Sequence, residues 1–337
     1  MTTFQRICTA GVGVVALAGA TLTPAQAAAP AADRLSIRVS VGEPGGMSAS
    51  AATCRVNRIV ITRYESCAVA DAMVTLLRNG RPVGNAKFKI THTMKLKQKS
   101  RKWSETTAIS RATLTNASGI RAAYTATCKG TCKTTNRVPQ GRALGAAFSG
   151  KVNYVNNVKK NKKHTTETTY RFVFTKPGFT AGEFSYKSAK YRCDDQFWNR
   201  ANTARTLSAG CAHPAFTPTM TTMATLPQIS RNIRAVQSRG QRLGVPGGAP
   251  LTRLADRVRI QANRDAVCPR SQRPPRPGLS CDEYPFASTR QGGTSVPASS
   301  RGTAWVPEQE QDQQGGRIAA FQKSVRLLDR DAFWVKV

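Results

Sequence analysis

The chain is 337 residues long and carries 51 Lys and Arg against 18 Asp and Glu, a formal net charge of +33. That length admits two domains, and beyond the leader no apolar stretch is long enough for a membrane-spanning helix, so a stable membrane span is excluded. Such a charge draws in polyanions at low salt, without choosing between nucleic acid, teichoic acid, heparin-like polymers and an anionic membrane.

Residues 1–27 read as an export signal: Arg6 precedes an apolar stretch from Ile7 to Leu22, and Ala25-Gln26-Ala27 offers small residues for cleavage near Ala28. The stretch falls short of the ~20 residues of a bilayer span, so a secreted, extracellular protein is expected. Cleavage would remove Cys8 and leave eight cysteines, an even number that favours four disulfides. Pairing neighbours, as Cys54–Cys67, Cys128–Cys132, Cys193–Cys211 and Cys268–Cys281, is simplest because each bridge closes a short loop. Zinc on Cys128 and Cys132 is the competing reading, but no second half of a four-ligand site has suitable spacing nearby.

Residues 28–50, rich in Ala, Ser, Gly and Pro, read as a flexible lead-in with room for one short strand at Leu35–Val39. From 51 to 200 the apolar residues come in short bursts, such as Val56, Ile59 and Ile61, then Phe88 and Ile90, then Tyr170 to Phe174. Ala70 to Leu77 fits either a helix or a strand. The pattern predicts a mostly-β sandwich or barrel held by disulfides. Lys159, Lys160, Lys162 and Lys163, like the run from Lys95 to Lys102, belong on loops, since a core would strip several charges of water. They are candidate contacts for DNA or another polyanion, which makes this an accessory binding domain. Trp103 and Tyr154 beside them are open to two readings, base stacking or core packing.

Pro214 and Pro218 mark a linker over 201–224, and a small α+β domain is expected over 225–337. Ile229, Ile233 and Val236 predict a helix ending by Gly240. A second helix is predicted from Leu251, with Leu254, Val258 and Ala262 inside; Arg253 and Arg257 fall outside and are candidate DNA contacts. Arg270 to Gly278 is too rich in proline for helix or central strand, and Ala332 to Val335 predicts a closing strand.

The densest chemistry lies in Cys281-Asp282-Glu283-Tyr284-Pro285-Phe286-Ala287. Neighbouring carboxylates point oppositely on a regular strand, whereas a turn or bulge would bring both into one pocket, one binding a hard divalent cation and the other handling a proton. A surface acidic pair is the plainer reading. With Ile229 to Gln237, Leu251-Thr252-Arg253, Cys268, Gly292-Gly293, Pro307 to Gly316 and Asp331 to Val335, the motif resembles the NucA/NucB-type deoxyribonucleases of exported bacterial proteins, over about Leu226 to Val337.

The resemblance implies metal-dependent, non-specific hydrolysis of DNA. It places Asp282 and Glu283 at the catalytic centre, with Asp282 and Glu310 as metal ligands and Mg²⁺ or Mn²⁺ as the cofactor. Two positions depart from the family pattern: Asn232 stands where relatives have His, and Gln311 where they have Asn. Asn232 orients water or substrate but cannot exchange a proton near neutral pH. His213, beside Cys211, is either a substitute entering from the linker or a packing residue. The alternative function is a noncatalytic polyanion-binding or DNA-binding envelope protein with a degenerate nuclease domain. Residues from about 225 onward are expected to retain nuclease competence alone.

Overall fold

Alternation of apolar and polar residues governs the N-terminal region, in which β1 (Leu35–Val41), β2 (Met47–Ala49), β3 (Arg58–Ile61), β4 (Glu65–Arg78), β5 (Arg81–Lys95), β6 (Lys102–Ile109) and β7 (Thr113–Thr115) open the chain. The computed structural model describes residues 33–42, 47–49 and 54–337. The expected export signal and most of the lead-in lie outside the described residues. There follow β8 (Arg121–Cys128), β9 (Cys132–Arg137), β10 (Arg142–Ala143), β11 (Phe148–Asn156), β12 (Lys163–Thr166), β13 (Thr168–Thr175), β14 (Gly182–Lys187), β15 (Tyr191–Asp194) and β16 (Gly210–Ala212).

A long sheet runs β2-β3-β4-β5-β6-β11-β9, with β1 on β4 and β7 on β5, opposite a second sheet β10-β8-β13-β14. Ala86, Phe88, Ile90 and Met94 of β5 point inward at a period of two and meet Tyr170, Phe172 and Phe174 of β13; the Phe88 and Phe174 rings are 5.7 Å apart. The result is a curled, half-barrel β domain, as the alternation predicts. The ambiguous 70–77 stretch is strand, part of β4. Trp103 and Tyr154 are buried and stack on each other at 5.1 Å, so packing is their role.

The C-terminal region is smaller and α+β. It contains β17 (Thr219–Met220), α1 (Pro227–Gln237), β18 (Leu251–Thr252), α2 (Arg257–Val267), β19 (Leu279–Tyr284), β20 (Gly302–Pro307), α3 (Glu308–Ser324) and β21 (Ala332–Val335). The helix predicted from Leu251 begins six residues later: Leu251 pairs with Phe333, and Asp256 caps α2 by accepting from Val258 N and Arg259 N. The apolar face expected of it is also absent. Val258 is 80% exposed and no α2 side chain is buried. Pro307 to Gly316, one of the segments that carry the resemblance, lies almost wholly within α3. All four neighbour pairings of cysteines form, which disposes of zinc at Cys128 and Cys132. Among the described residues no helix is long and apolar enough to cross a membrane.

Two apolar cores result, one in the β domain and one that begins at Met220 and ends with Val335. Charge joins them. Arg326, wholly buried in the turn after α3, donates from Nε to Asp194 Oδ2 at 3.0 Å and from Nη1 to the carbonyls of Gln98 and Ser208. Asp331 receives both Nη atoms of Arg192, at 2.6 and 2.8 Å, and Nη2 of Arg63 at 2.9 Å. Arg253, expected to meet DNA, is turned inward: its Nη1 donates to the Leu327 carbonyl and its guanidinium lies over Phe197. The backbone carbonyls of the 325–331 turn need donors once buried, and arginine side chains from both regions supply them.

His213 sits at this boundary, 0% exposed, with Nδ1 on the Lys190 carbonyl and Nε2 without a partner. Burial holds its pKa down, to about 4, against 6.5 for a free imidazole. Below pH 6.5 the unfolded chain therefore takes up a proton that the folded chain refuses, and the loss of stability grows until pH 4. Relative to His213→Gln, the parent should lose about 3 kcal/mol between pH 6.5 and 4. Asp282 and Glu283, whose pKa values burial raises to about 6 and about 7, gain protons in the folded state over the same range and oppose the trend. They are common to both proteins and cancel in the difference. Denaturant midpoints measured across this range decide it, and parallel curves for parent and variant would remove His213 from the account.

Candidate active site

The β19–β20 hairpin is regular. Asp282 faces Ala304 and Glu283 faces Thr303 with no register shift, so the two carboxylates emerge on opposite faces of the strand. The bulge or turn that would unite them is not there. Apolar residues at Ile229, Ile233 and Val236 seat α1 on one face of the hairpin, and Asn232 is the polar member of that buried stripe. Across from it, α3 offers Gln314, buried seven residues before Phe321 and thus on the same helix face.

Asp282 lies between them, 0% exposed, with Oδ2 accepting from Asn232 Nδ2 at 2.8 Å and Oδ1 from Gln314 Nε2 at 2.7 Å. Burial raises its pKa to about 6; the two amide donors pull it back and the charge of Glu310 pushes further up. Glu310 is anchored nearby, its Oε2 accepting from the backbone N–H groups of Gln228 and Ile229 at 3.0 and 3.2 Å, the positive end of α1. The next residue, Gln311, has a buried Oε1 with no donor.

Among the described residues no group of three His, Cys, Asp or Glu side chains is placed to hold a metal ion. The groups around Asp282 are of another kind: the Glu310 carboxylate, whose charge reaches Asp282, and the carboxamides of Asn232 and Gln314. Mg²⁺ is commonly held by one or two carboxylates while keeping several waters, so this set of hard oxygens fits such a cation.

Glu283 faces the other way, towards α2. Its Oε1 is 3.6 Å from Arg264 Nε and its Oε2 has no partner, beside a cavity of about 230 Å³ lined by Val267, Pro285, Ala298, Arg301 and Thr303 among others. Burial lifts its pKa to about 7, Arg264 draws it down and Asp282 adds to the rise. Tyr284 fixes the end of the strand, donating to the Leu243 carbonyl and accepting from Gln237 Nε2, both at 2.9 Å.

The other expected site residues are dispersed. Arg257 is exposed on α2, whereas Arg253 is at the boundary between the cores. Lys159, Lys160 and Lys162 are exposed on the turn from β11 to β12, where Lys160 donates to the Asn202 carbonyl and lies 4.2 Å from the Trp198 ring, whereas Lys163, expected on the same loop, is the exposed first residue of β12 and pairs with Asp194. His213 takes no part in the site. Two residues that sequence reading missed join it, Gln314 and Arg264. The first was legible in principle, at i+4 and i+3 from Glu310 and Gln311.

Residues 248–336 match the family Deoxyribonuclease NucA/NucB. A NucA/NucB-like nuclease domain is therefore present at the C-terminal end, narrower than the resemblance read from Leu226. Asp282, Glu283, Glu310, Gln311 and Gln314 fall within the match, while Asn232 and the whole β domain fall outside it. No curated protein and no solved structure matches the chain.

Proposed function

We propose that this is a secreted, metal-dependent endodeoxyribonuclease with little sequence preference, acting at Asp282. The observation that carries the reading is the wholly buried Asp282 carboxylate, within reach of the charge of Glu310, inside the nuclease-matching region. Asp282 and Glu310 would hold Mg²⁺ or Mn²⁺, which supplies charge stabilisation at the phosphate and a more acidic water. The chain's own part is orientation. Asn232 and Gln314 fix both Asp282 oxygens, and each carboxamide can turn its oxygen towards a cation instead. The α1 amides hold Glu310 in place. Glu283 works from the opposite face as a positioning residue, holding Arg264 over the strand. Four disulfides suit an oxidising, extracellular setting.

Plasmid incubated with the protein and Mg²⁺ or Mn²⁺ should be nicked and linearised, and EDTA should stop it. Glu283→Gln should slow cleavage by about tenfold, less than a change at Asp282. Intact plasmid across several divalent metals rejects the enzyme. A second reading, DNA binding without cleavage, has its own support in Asn232, which cannot carry a proton, and salt-dependent retention without strand breaks selects it.

A further inference from the structure

A helix that buries nothing contributes little to a core, and α2 is such a helix. It is nonetheless firmly attached. Asn263 Nδ2 donates to the carbonyls of Ala287 and Thr289 at 2.9 and 3.2 Å, and Gly293, with φ +62°, lets the backbones meet, since a Cβ there would come within 2.8 Å of Asn263 Cα. Beyond the helix, Cys268 is bonded to Cys281, the residue before Asp282.

What α2 presents is positive charge. Arg257, Arg259, Arg270, Arg273 and Arg276 are all exposed, and their side chains form no hydrogen bond or ion pair among the described residues. The only acids between 255 and 278 are already used: Asp256 caps the helix and Asp265 accepts from Gln261. The arginines at 63, 192 and 326 are the opposite case, buried and paired with carboxylates and carbonyls of the fold. From this arm Arg264 leads to the catalytic strand, half exposed and 3.6 Å from Glu283.

We propose that α2 and the 269–278 segment form an arm whose arginines grip the phosphodiester backbone of a nucleic acid beside the strand that carries Asp282. The proposal rests on the nuclease reading for the identity of that polymer as DNA. Guanidinium groups suit phosphate oxygens, paired in geometry and always charged, and a proline-rich segment loses less freedom when it is ordered against the polymer. Arg257 and Arg264, seven residues apart, share one side of α2, so the grip runs along the helix towards the Glu283 face of that strand.

The test uses the whole protein with R257Q, R259Q, R270Q, R273Q and R276Q combined, leaving Arg264 in place. A control removes five charges from the β domain, K129Q, K133Q, R137Q, R142Q and K151Q. Affinity for a short duplex is measured in EDTA over a range of salt. Each lost phosphate contact flattens the slope of log affinity against log salt by about 0.9. The arm variant should lose about 2 to 4 of that slope, and the control less than about 1. With metal present, KM should rise by about tenfold or more while kcat falls less than threefold. Melting should not change, because none of the five side chains bonds within the fold.

An unchanged slope overturns the arm. So does an equal loss in the control, which would mean general charge alone. Retention on phosphatidylglycerol vesicles, lost in the arm variant while the duplex slope holds, would show that the exposed Val258 and its arginines serve a membrane instead. A parent protein that never cuts plasmid refutes the nuclease reading but leaves the slope comparison decisive for the arm.

Discussion

Asp282→Asn should reduce DNA cleavage by about a hundredfold or more while the protein remains folded and melts no lower than the parent. Both expectations come from the same burial. The carboxylate is 0% exposed, and its pKa lies about two units above the ordinary value of 3.8. Holding it ionised therefore costs the folded state on the order of 3 kcal/mol. Asn keeps the shape and removes the charge. It brings one N–H₂ group towards Asn232 or Gln314, and either carboxamide can rotate to meet it with oxygen. Activity and stability are thus expected to move in opposite directions, the usual mark of a group retained for function. In EDTA the stabilisation should be full above pH 7, where the parent carboxylate is ionised in both states. As pH falls through 6 the folded parent takes up the proton first, so the advantage should fade and be gone by about pH 4. Melting curves from pH 4 to 8 with parallel plasmid assays measure both. Near-parental cleavage by a folded variant would remove Asp282 from the chemistry.

Much of the scaffold was legible because it obeys local rules. The alternation in β5 and β13 announced a half-buried sheet, and cysteines 4 to 18 residues apart closed the loops that their spacing suggested. α3 was not legible, for a physical reason. Its inward face begins with Glu310, Gln311 and Gln314 and becomes apolar only near Phe321, while Gly315 and Gly316 interrupt it, so its first half reads as loop. That polar half is the part that meets Asp282. Arg253 misled for a related reason: an arginine beside an apolar pattern is ordinarily solvated, and only the fold reveals the Leu327 carbonyl waiting for it. The Asp282-Glu283 pair was found from its motif. That the two face opposite ways follows from a regular register, which the adjoining proline-rich run disguised.

Asp194→Ala should destabilise the protein by about 3 to 5 kcal/mol and inactivate the nuclease region along with the β domain that carries the residue. Arg326 would be left wholly buried with a charge and no counter-ion, its remaining partners being the carbonyls of Gln98, Ser208 and Asp194 itself. Replacing both partners by apolar residues, Asp194→Leu with Arg326→Met, should recover most of the loss, since desolvating the pair is itself costly. This contrast separates a charge effect from mere disturbance of packing. The location explains the expected reach of the damage. Arg326 and Asp331 lie in the turn that runs from α3 to β21, and α3 presents Gln314 to Asp282 at its other end. Met220 and Met223 also belong to the second core, upstream of the boundary expected near 225, and β17 pairs with β21. A fragment beginning at Thr225 lacks Met220 and Met223 together with Arg63, Arg192 and Asp194, leaving Asp331 and Arg326 without their ionic partners. It should therefore melt without cooperativity and cleave poorly, in contrast to the independence that the sequence suggested. Comparison of the fragment, the single variant and the double variant by thermal melting and plasmid cleavage distinguishes the cases. A cooperatively folded, fully active fragment would show that the buried ionic boundary only docks two self-sufficient halves.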